Sequence, residues 1–292
     1  MAEKNFIPSR RNLLKAGAMT SIFVSGLSLS NDWPGNLPAL AADQADPFRG
    51  LKVGITSYTT RKLSLDDTIK ALDRLGLKYI SLKDFHLPLK SSKEERQAIA
   101  QKVRGAGLNL VGCGVITMKD ETEVRAAFEY ARDAGIPTIV GTLDPDKVQF
   151  LDQMVKEFNI RVAIHNHGPE DKRFPTPDSV ASAIEKLDPR IGLCIDIGHT
   201  IRAGVDPAQA IRKHAKRLYD LHLKDVTAAV AQGKNIECGR GVIDLASVLK
   251  ALREIKFQDH VALEYEINAD DPVPGMAESI GYVKGILSMA AA

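Results

Sequence analysis

Between residues 51 and 266, short apolar runs alternate with amphipathic stretches of helical length. The runs are LKVGITSY (51–58), KYISLKDF (78–85), LNLVGCGV (108–115), PTIVGTL (137–143), IRVAIHNH (160–167), IGLCIDIG (191–198), LYDLHLKD (218–225) and HVALEYE (260–266). Each has the length and composition of a strand. The intervening stretches, such as SLDDTIKALDRLG, SKEERQAIAQKVRGAG, DETEVRAAFEYARDAG and DLASVLKALREI, carry helical spacing. Several open on a Ser or Asp that can cap the first turn and close on a Gly that can take the left-handed terminal position. Alternation of this kind builds parallel βαβ units. Eight such units in a chain of this length predict an α/β fold, the (β/α)8 TIM barrel. A doubly wound open sheet is the competing arrangement. It calls for a Gly-rich phosphate loop after the first strand, and GITSYTTRKL stands there instead.

The first residues stand apart from this pattern. SRRNLLKAGAMTSIFVSGLSLS joins a twin arginine, Arg10 and Arg11, to an apolar, small-residue run without an acid. Further on, Ala39-Leu40-Ala41 offers a small-x-small cleavage site. The pattern predicts a twin-arginine (Tat) signal over 1–41 that engages the Tat export machinery, a linker over 42–50 and the barrel over 51–292. Its apolar run is too short and too rich in Gly and Ser for a stable membrane anchor. Export implies a periplasmic or extracellular location. Without residues 1–41, 251 residues remain with basic and acidic side chains in equal number. That balance gives nucleic acid and anionic lipid nothing to hold. Cys113, Cys194 and Cys238 are too few and too scattered for a disulfide framework and are expected to be reduced.

Side chains alternate with period two along a strand, so each run can be sorted into two faces. Ile80, Leu82, Val162, Ile164, Leu193, Ile195, Ile197, Leu221, Leu223, Val261, Leu263 and Tyr265 should pack outward on helices. Ser81, Lys83, Ala163, His165, His167, Cys194, Asp196, Gly198, His222, Lys224, Ala262, Glu264 and Glu266 then face the interior, and Asn166 lies on the outer side. The inward polar residues fall late in their runs, at the end where barrel active sites are built.

Four consecutive runs each offer an inward imidazole or carboxylate: His165, Asp196, His222 and Glu264. Burying two carboxylates together without a cation is costly through desolvation and mutual repulsion. A divalent metal removes that cost. Two imidazoles and two carboxylates suit one Mn, Fe, Co or Zn ion better than Ca or the strongly hydrated Mg. The competing reading is a polar interior paired by salt bridges, with Lys83 and Lys224 against Glu264 and Glu266.

DIGHTIRAGVDP (196–207), LHLKD (221–225), GRGVIDLASVLKAL (239–252) and VALEYE (261–266) resemble the second half of the xylose-isomerase-like barrels, the sugar phosphate isomerase/epimerase superfamily. The resemblance implies metal ligation by Asp196, His222 and Glu264, the last also matching a general base of the epimerases. It implies substrate binding by His199. The fourth ligand in the epimerases is a glutamate ending the fifth strand. His165 stands in its place here, in AIHNHG, and His167 matches the next substrate-side residue. With an imidazole there, Lys83, Lys224, Glu170 or Glu266 would have to supply the second acid or base. A lopsided chemistry fits better, with deprotonation by one base and protonation or leaving-group departure elsewhere.

The function this implies is a divalent-metal-dependent sugar isomerase or epimerase, which abstracts a proton beside a metal-held carbonyl of a keto- or hydroxy-sugar. Glu264 is the expected base, and Lys83 and Lys224 are candidates for steadying the developing oxyanion or handling a proton. His86, in KDFHLPLKSS, Glu266, and Arg240, in CGRG, are candidate substrate contacts. The alternatives are a lyase or dehydratase acting on a keto-sugar or keto-glycoside, and a non-catalytic periplasmic barrel that binds sugar or metal. An endonuclease IV-like role is disfavoured by the neutral charge, by export and by the lack of a basic, aromatic-laced groove.

Overall fold

Eight parallel strands close into a barrel: β1 (Lys52–Thr56), β2 (Tyr79–Leu82), β3 (Asn109–Met118), β4 (Thr138–Leu143), β5 (Arg161–His165), β6 (Ile191–Asp196), β7 (Leu218–Leu223) and β8 (His260–Leu263). Neighbours in sequence pair with one another, and β1 pairs with β8 to complete the ring. The computed structural model describes residues 46–289. The expected export signal at 1–41 lies outside the described residues. Helices cover the outside: α1 (Leu65–Leu75), α2 (Lys93–Gly105), α3 (Glu121–Asp133), α4 (Val148–Phe158), α5 (Pro177–Ile184), α6 (Ile197–Arg202), α7 (Pro207–Lys213), α8 (Leu245–Glu254) and α9 (Val273–Met289). None of the described helices is long and apolar enough to cross a membrane.

The helix boundaries follow from capping. Ser64 accepts from Asp67 N at the start of α1, and Gly76 closes that helix with φ 69°. Ser92 and Glu95 form a reciprocal capping box on α2. Thr176 and Ser179 form a second box on α5, and Asp120, Asp206 and Asp244 cap α3, α7 and α8 by accepting from first-turn N–H groups.

The two faces separate as the alternation requires. Ile80, Leu82, Val162, Ile164, Leu193, Ile195, Leu221, Leu223, Val261 and Leu263 are buried in one continuous layer between sheet and helices. Val140, Ala163 and Cys194 form a separate small cluster inside the barrel. Each fully buried aliphatic side chain of that outer layer contributes about 1.5–3 kcal/mol. At the N-terminal end, Arg161 makes two hydrogen bonds to Asp259, at 2.6 and 3.1 Å, and lies 4.8 Å from the centre of the Tyr219 ring. That cluster floors the barrel and leaves the other end for a site.

Most strands are shorter than the apolar runs that announce them, because the chain leaves the ladder for side-chain partners. The positions 197–198 belong to α6, which starts directly after Asp196. Tyr265 N donates to Thr59 Oγ1 at 3.0 Å and Glu266 N to Asn235 Oδ1 at 3.0 Å, so the last run ends its strand at Leu263. His167, Lys224, Glu264 and Glu266 therefore stand just above the strand ends. β3 is instead longer than its apolar run, continuing to Met118 through an irregular parallel pairing between Cys113 and Ile116. A short antiparallel pair, Asp225–Val226 with Asn235–Ile236, follows β7 and was not foreshadowed by the periodicity.

Two inward glycines make room for large interior side chains. A Cβ on Gly54 would collide with the Tyr79 carbonyl and approach His260 Nε2 to 2.8 Å, while one on Gly192 would enter the Tyr219 ring. Gly54→Ala is expected to lower unfolding free energy in urea by roughly 3 kcal/mol, an overpacking cost. Gly105→Ala, at an exposed helix end with nothing within 4 Å, should leave it unchanged or slightly higher. Equal effects of the two substitutions would contradict this packing.

Candidate metal centre

Four side chains converge at the C-terminal end of the barrel. β5 ends on His165 and β6 on Asp196, His222 is the penultimate residue of β7, and Glu264 follows β8. The ladder pairs Asp196 with His222 and His222 with Ala262, and Glu264 N donates to Leu223 O at 2.9 Å. Asp196 is also the N-cap of α6, and its Oδ1 accepts from His199 N at 2.7 Å. Capping fixes the carboxylate so that Oδ2 faces the cluster. Asn166, on the outer side, accepts from Asp196 N at 3.1 Å and donates to Thr200 Oγ1 at 3.2 Å. The middle residue of His-Asn-His thus ties β5 to the start of α6.

The donor atoms of His165, Asp196, His222 and Glu264 all lie within 4.8 Å of one another. His165 Nε2 is 3.0 Å from His222 Nδ1 and 3.4 Å from Asp196 Oδ2. His222 Nδ1 is 3.0 Å from Glu264 Oε2 and 3.9 Å from Asp196 Oδ2. Donors around a tetrahedral ion with bonds near 2.05 Å are separated by roughly 3.3 Å, so the spacing is of the right size. Asp196 Oδ2 is buried and accepts no hydrogen bond, although Lys224 Nζ stands 3.0 Å away. We read that contact as charge attraction without a directed bond, which leaves a lone pair for a cation. His165, Cys194 and His222 form a second set of the same spacing. It offers a thiol where the first offers two carboxylates, and the first set carries the charge a divalent ion needs.

Electrostatics follow from burial and from Lys224. Burial alone would raise Asp196 and Glu264, but Lys224 and the neighbouring imidazoles outweigh it and hold both carboxyls well below their usual range. Burial works against the Lys224 ammonium, yet Asp196, Glu264 and Glu266 hold it well above the usual lysine range. Burial pushes His165 far down, which keeps it neutral and suited to ligation. For His222 the carboxylates of Glu264, Asp220 and Asp196 overcome burial and raise it.

Around the four stand some of the other candidates. His167 Nδ1 is 3.4 Å from His165 Nδ1 and 3.5 Å from Asp171 Oδ2, and burial with His199 nearby lowers its basicity. His199 Nε2 is 3.9 Å from Asp196 Oδ2, and its Nδ1 accepts from Arg202 at 3.1 Å. Glu266 joins through Lys224. A cavity of about 620 Å³ opens beside the cluster, lined by His167, Glu170, Asp171, Arg173, His199 and Arg202. Three candidates lie elsewhere. Lys83 Nζ donates to Val115 O at 2.8 Å and lines a separate 470 Å³ cavity between β2, β3 and α3. His86 is buried against Leu63 O (2.9 Å) and Thr68 Oγ1 (3.3 Å). Arg240 pairs with Glu278 at 2.7 Å on the exposed surface.

Two structural carboxylates escaped sequence reasoning. Asp171 backs His167 and is itself held by Arg173 N at 2.8 Å. Asp225, the last residue of LHLKD, accepts from the N–H groups of Val226, Gly239, Gly241 and Ile243 at 2.9–3.1 Å. It folds the whole 226–243 segment onto the top of β7. Its place next to Lys224 is the available signal, but its partners lie up to 18 residues away.

Residues 69–286 match the xylose isomerase-like TIM barrel family. The chain belongs to that family. It is 27% identical over 161 residues to the rhizopine catabolism protein MocC of Rhizobium meliloti, covering 50% of this chain and 49% of that protein. It is 28% identical over 132 residues to the inosose dehydratase of Clostridium tetani, covering 40% and 44%. The chain thus spans about half the length of the curated relatives it matches. Among solved structures, a zinc-bound IolI protein superposes with a TM-score of 0.70 at 15% identity, over 83% of this chain and 100% of that one. Members of the xylose isomerase-like family related to this chain are enzymes, inosose dehydratase among them.

The charge cluster has a pH signature. Depressed carboxyls contribute stability that is complete above their ordinary values of 3.8 and 4.5 and is lost as pH falls through the folded values. His165, also depressed, adds a loss beginning below 6.5, which His222, shifted upward, offsets. The melting temperature of the metal-free protein is expected to fall steeply below about pH 4.5. Glu264→Gln should flatten that fall, and an identical acid limb in both proteins would contradict the assignment.

Proposed function

We propose that this protein is a divalent-metal-dependent enzyme that removes a proton beside a carbonyl of a keto- or hydroxy-sugar and returns it as an isomerase or epimerase does. The observation that carries the reading is the meeting of His165, Asp196, His222 and Glu264 within 4.8 Å at the catalytic end of the barrel. These four would hold one ion, with Mn, Fe, Co or Zn favoured over Mg by the two imidazoles. When bound, that ion supplies Lewis-acid polarisation of the carbonyl. The zinc in the IolI structure supports the reading.

The chain's own groups divide the remaining work. Glu264 Oε2 is engaged by Lys224 and His222, whereas no described residue bonds Oε1, the oxygen able to take a proton. Lys224 steadies negative charge as it develops beside Glu264 and Asp196. On the other side stand His167 and His199 at the mouth of the open cavity, where a sugar can enter. His167, with Asp171 behind its Nδ1, can return a proton or give one to a departing oxygen. Lys83, bonded to Val115 O in a separate cavity, takes no part in this reading.

One observation favours a second reading, a lyase or dehydratase. His165 stands where the epimerases carry a glutamate, so the two sides of the site are chemically unlike, and an inosose dehydratase is among the relatives. We further propose that residues 1–41 direct the protein through the Tat machinery to the periplasm or exterior. There its partners would be small carbohydrates and not nucleic acid.

Incubation with 2-keto- and 3-keto-sugars in deuterated buffer, followed by proton NMR, tests the reading. Metal-loaded protein should exchange the proton beside the carbonyl, and Glu264→Gln should slow exchange by about 100-fold or more. Exchange without elimination marks an isomerase or epimerase, and an unsaturated product marks a lyase. Exchange that survives complete chelation would overturn the metal dependence.

A further inference from the structure

Lys224 occupies an unusual position for a lysine. It follows His222 by two residues and shares its inward side, and only 3% of its side chain is exposed. Its stem passes under the first turn of α6, where a Cβ on Gly198 would stand 2.6 Å from Lys224 Cγ and Cδ. The glycine lets the ammonium reach three carboxylates: Asp196 Oδ2 at 3.0 Å, Glu264 Oε2 at 2.8 Å, and Glu266 Oε1. The first two oxygens are the ones that face His165 and His222. Ammonium and metal ion would meet at the same two carboxylate oxygens and compete for their charge.

We propose that Lys224 is the built-in counter-cation of the metal-free centre. It holds Asp196 and Glu264 in ligating position before an ion arrives, competes with that ion for their oxygens, and yields them by moving onto Glu266. The inference rests on the reading of the cluster as a metal centre and adds how that centre is loaded.

Three features support an exchange. Three carboxylates against one ammonium leave a deficit of two positive charges, which a divalent ion makes up if the ammonium stays. The ammonium has somewhere to stay, because Glu266 already bonds it and is fixed through its backbone. Glu266 N donates to Asn235 Oδ1 at 3.0 Å, and Glu266 O accepts from Arg61 at 2.6 Å. The Glu266 side chain is 37% exposed, so a paired Lys224–Glu266 can lean toward solvent without burying a lone charge. The expected result is a centre that is folded without metal and whose affinity is held down by its own lysine.

The test compares full-length, metal-free wild type, Lys224→Met and Glu266→Gln, titrated with Zn²⁺ and Mn²⁺ against a competing chelator dye, with melting curves taken in parallel. Lys224→Met should melt lower than wild type without metal and bind metal about tenfold tighter or more. A residue that merely orients ligands would lose affinity on removal, so the sign separates the two roles. Glu266→Gln, which removes the resting place, should bind about tenfold more weakly. Equal or weaker binding by Lys224→Met, with wild type binding normally, overturns this proposal and leaves the metal centre intact. If Lys224→Met does not fold, unchanged or tighter binding by Glu266→Gln overturns it. Absence of binding to every protein overturns the metal reading and this proposal together.

Discussion

Two carboxylates buried side by side require positive charge close by, and the top of this barrel is arranged around that requirement. Asp196 and Glu264 come from strands separated by β7, and between them β7 delivers His222 and Lys224 from one face. β5 delivers His165 to close the group. Asp196 is committed twice, as a cap of α6 and as a member of the cluster, so the helix and the site stand or fall together. Asn166 and Gly198 serve the same arrangement from outside, one by tying β5 to α6 and the other by leaving room for the lysine stem.

How much of this was legible in the sequence depends on the range over which each feature is decided. Strand alternation is a property of adjacent residues, so the outward layer from Ile80 to Leu263 and the inward set His165, Asp196, His222 and Glu264 could be sorted by counting. Strand ends could not, because they depend on hydrogen bonds between distant segments, such as Tyr265 to Thr59. Long side chains were harder still. Lys83 faces inward by parity, yet its four-carbon stem carries the amine to Val115 O and away from the cluster. Arg240 turns outward to Glu278, and His86 is taken up by Leu63 and Thr68. Parity reports the direction of Cβ and nothing about where a flexible end finds its partner. Asp225 illustrates the same limit, since four backbone donors spread from 226 to 243 decide its role.

The chemistry available at this end is unequal on its two sides. A carboxylate held low by Lys224 lies on one side, and a group of imidazoles, His165, His167 and His199, with ring centres 4.4–5.8 Å apart, lies on the other. A xylose isomerase-like barrel with glutamate at the position of His165 would present like groups to both faces of a substrate. Here one side is anionic and the other carries imidazoles, and under the proposed function that inequality is what lets one first step lead either to proton return or to elimination.

X-ray absorption at the metal edge of the cobalt- or zinc-loaded protein distinguishes the possible ligand sets. The two sets of donors, His165, Asp196, His222, Glu264 and His165, Cys194, His222, differ in whether sulfur enters. Ligation by His165, Asp196, His222 and Glu264 gives a first shell of nitrogen and oxygen with imidazole scattering from two histidines, at roughly 2.0–2.2 Å. A sulfur shell at about 2.3 Å, or a shell without imidazole, would contradict it.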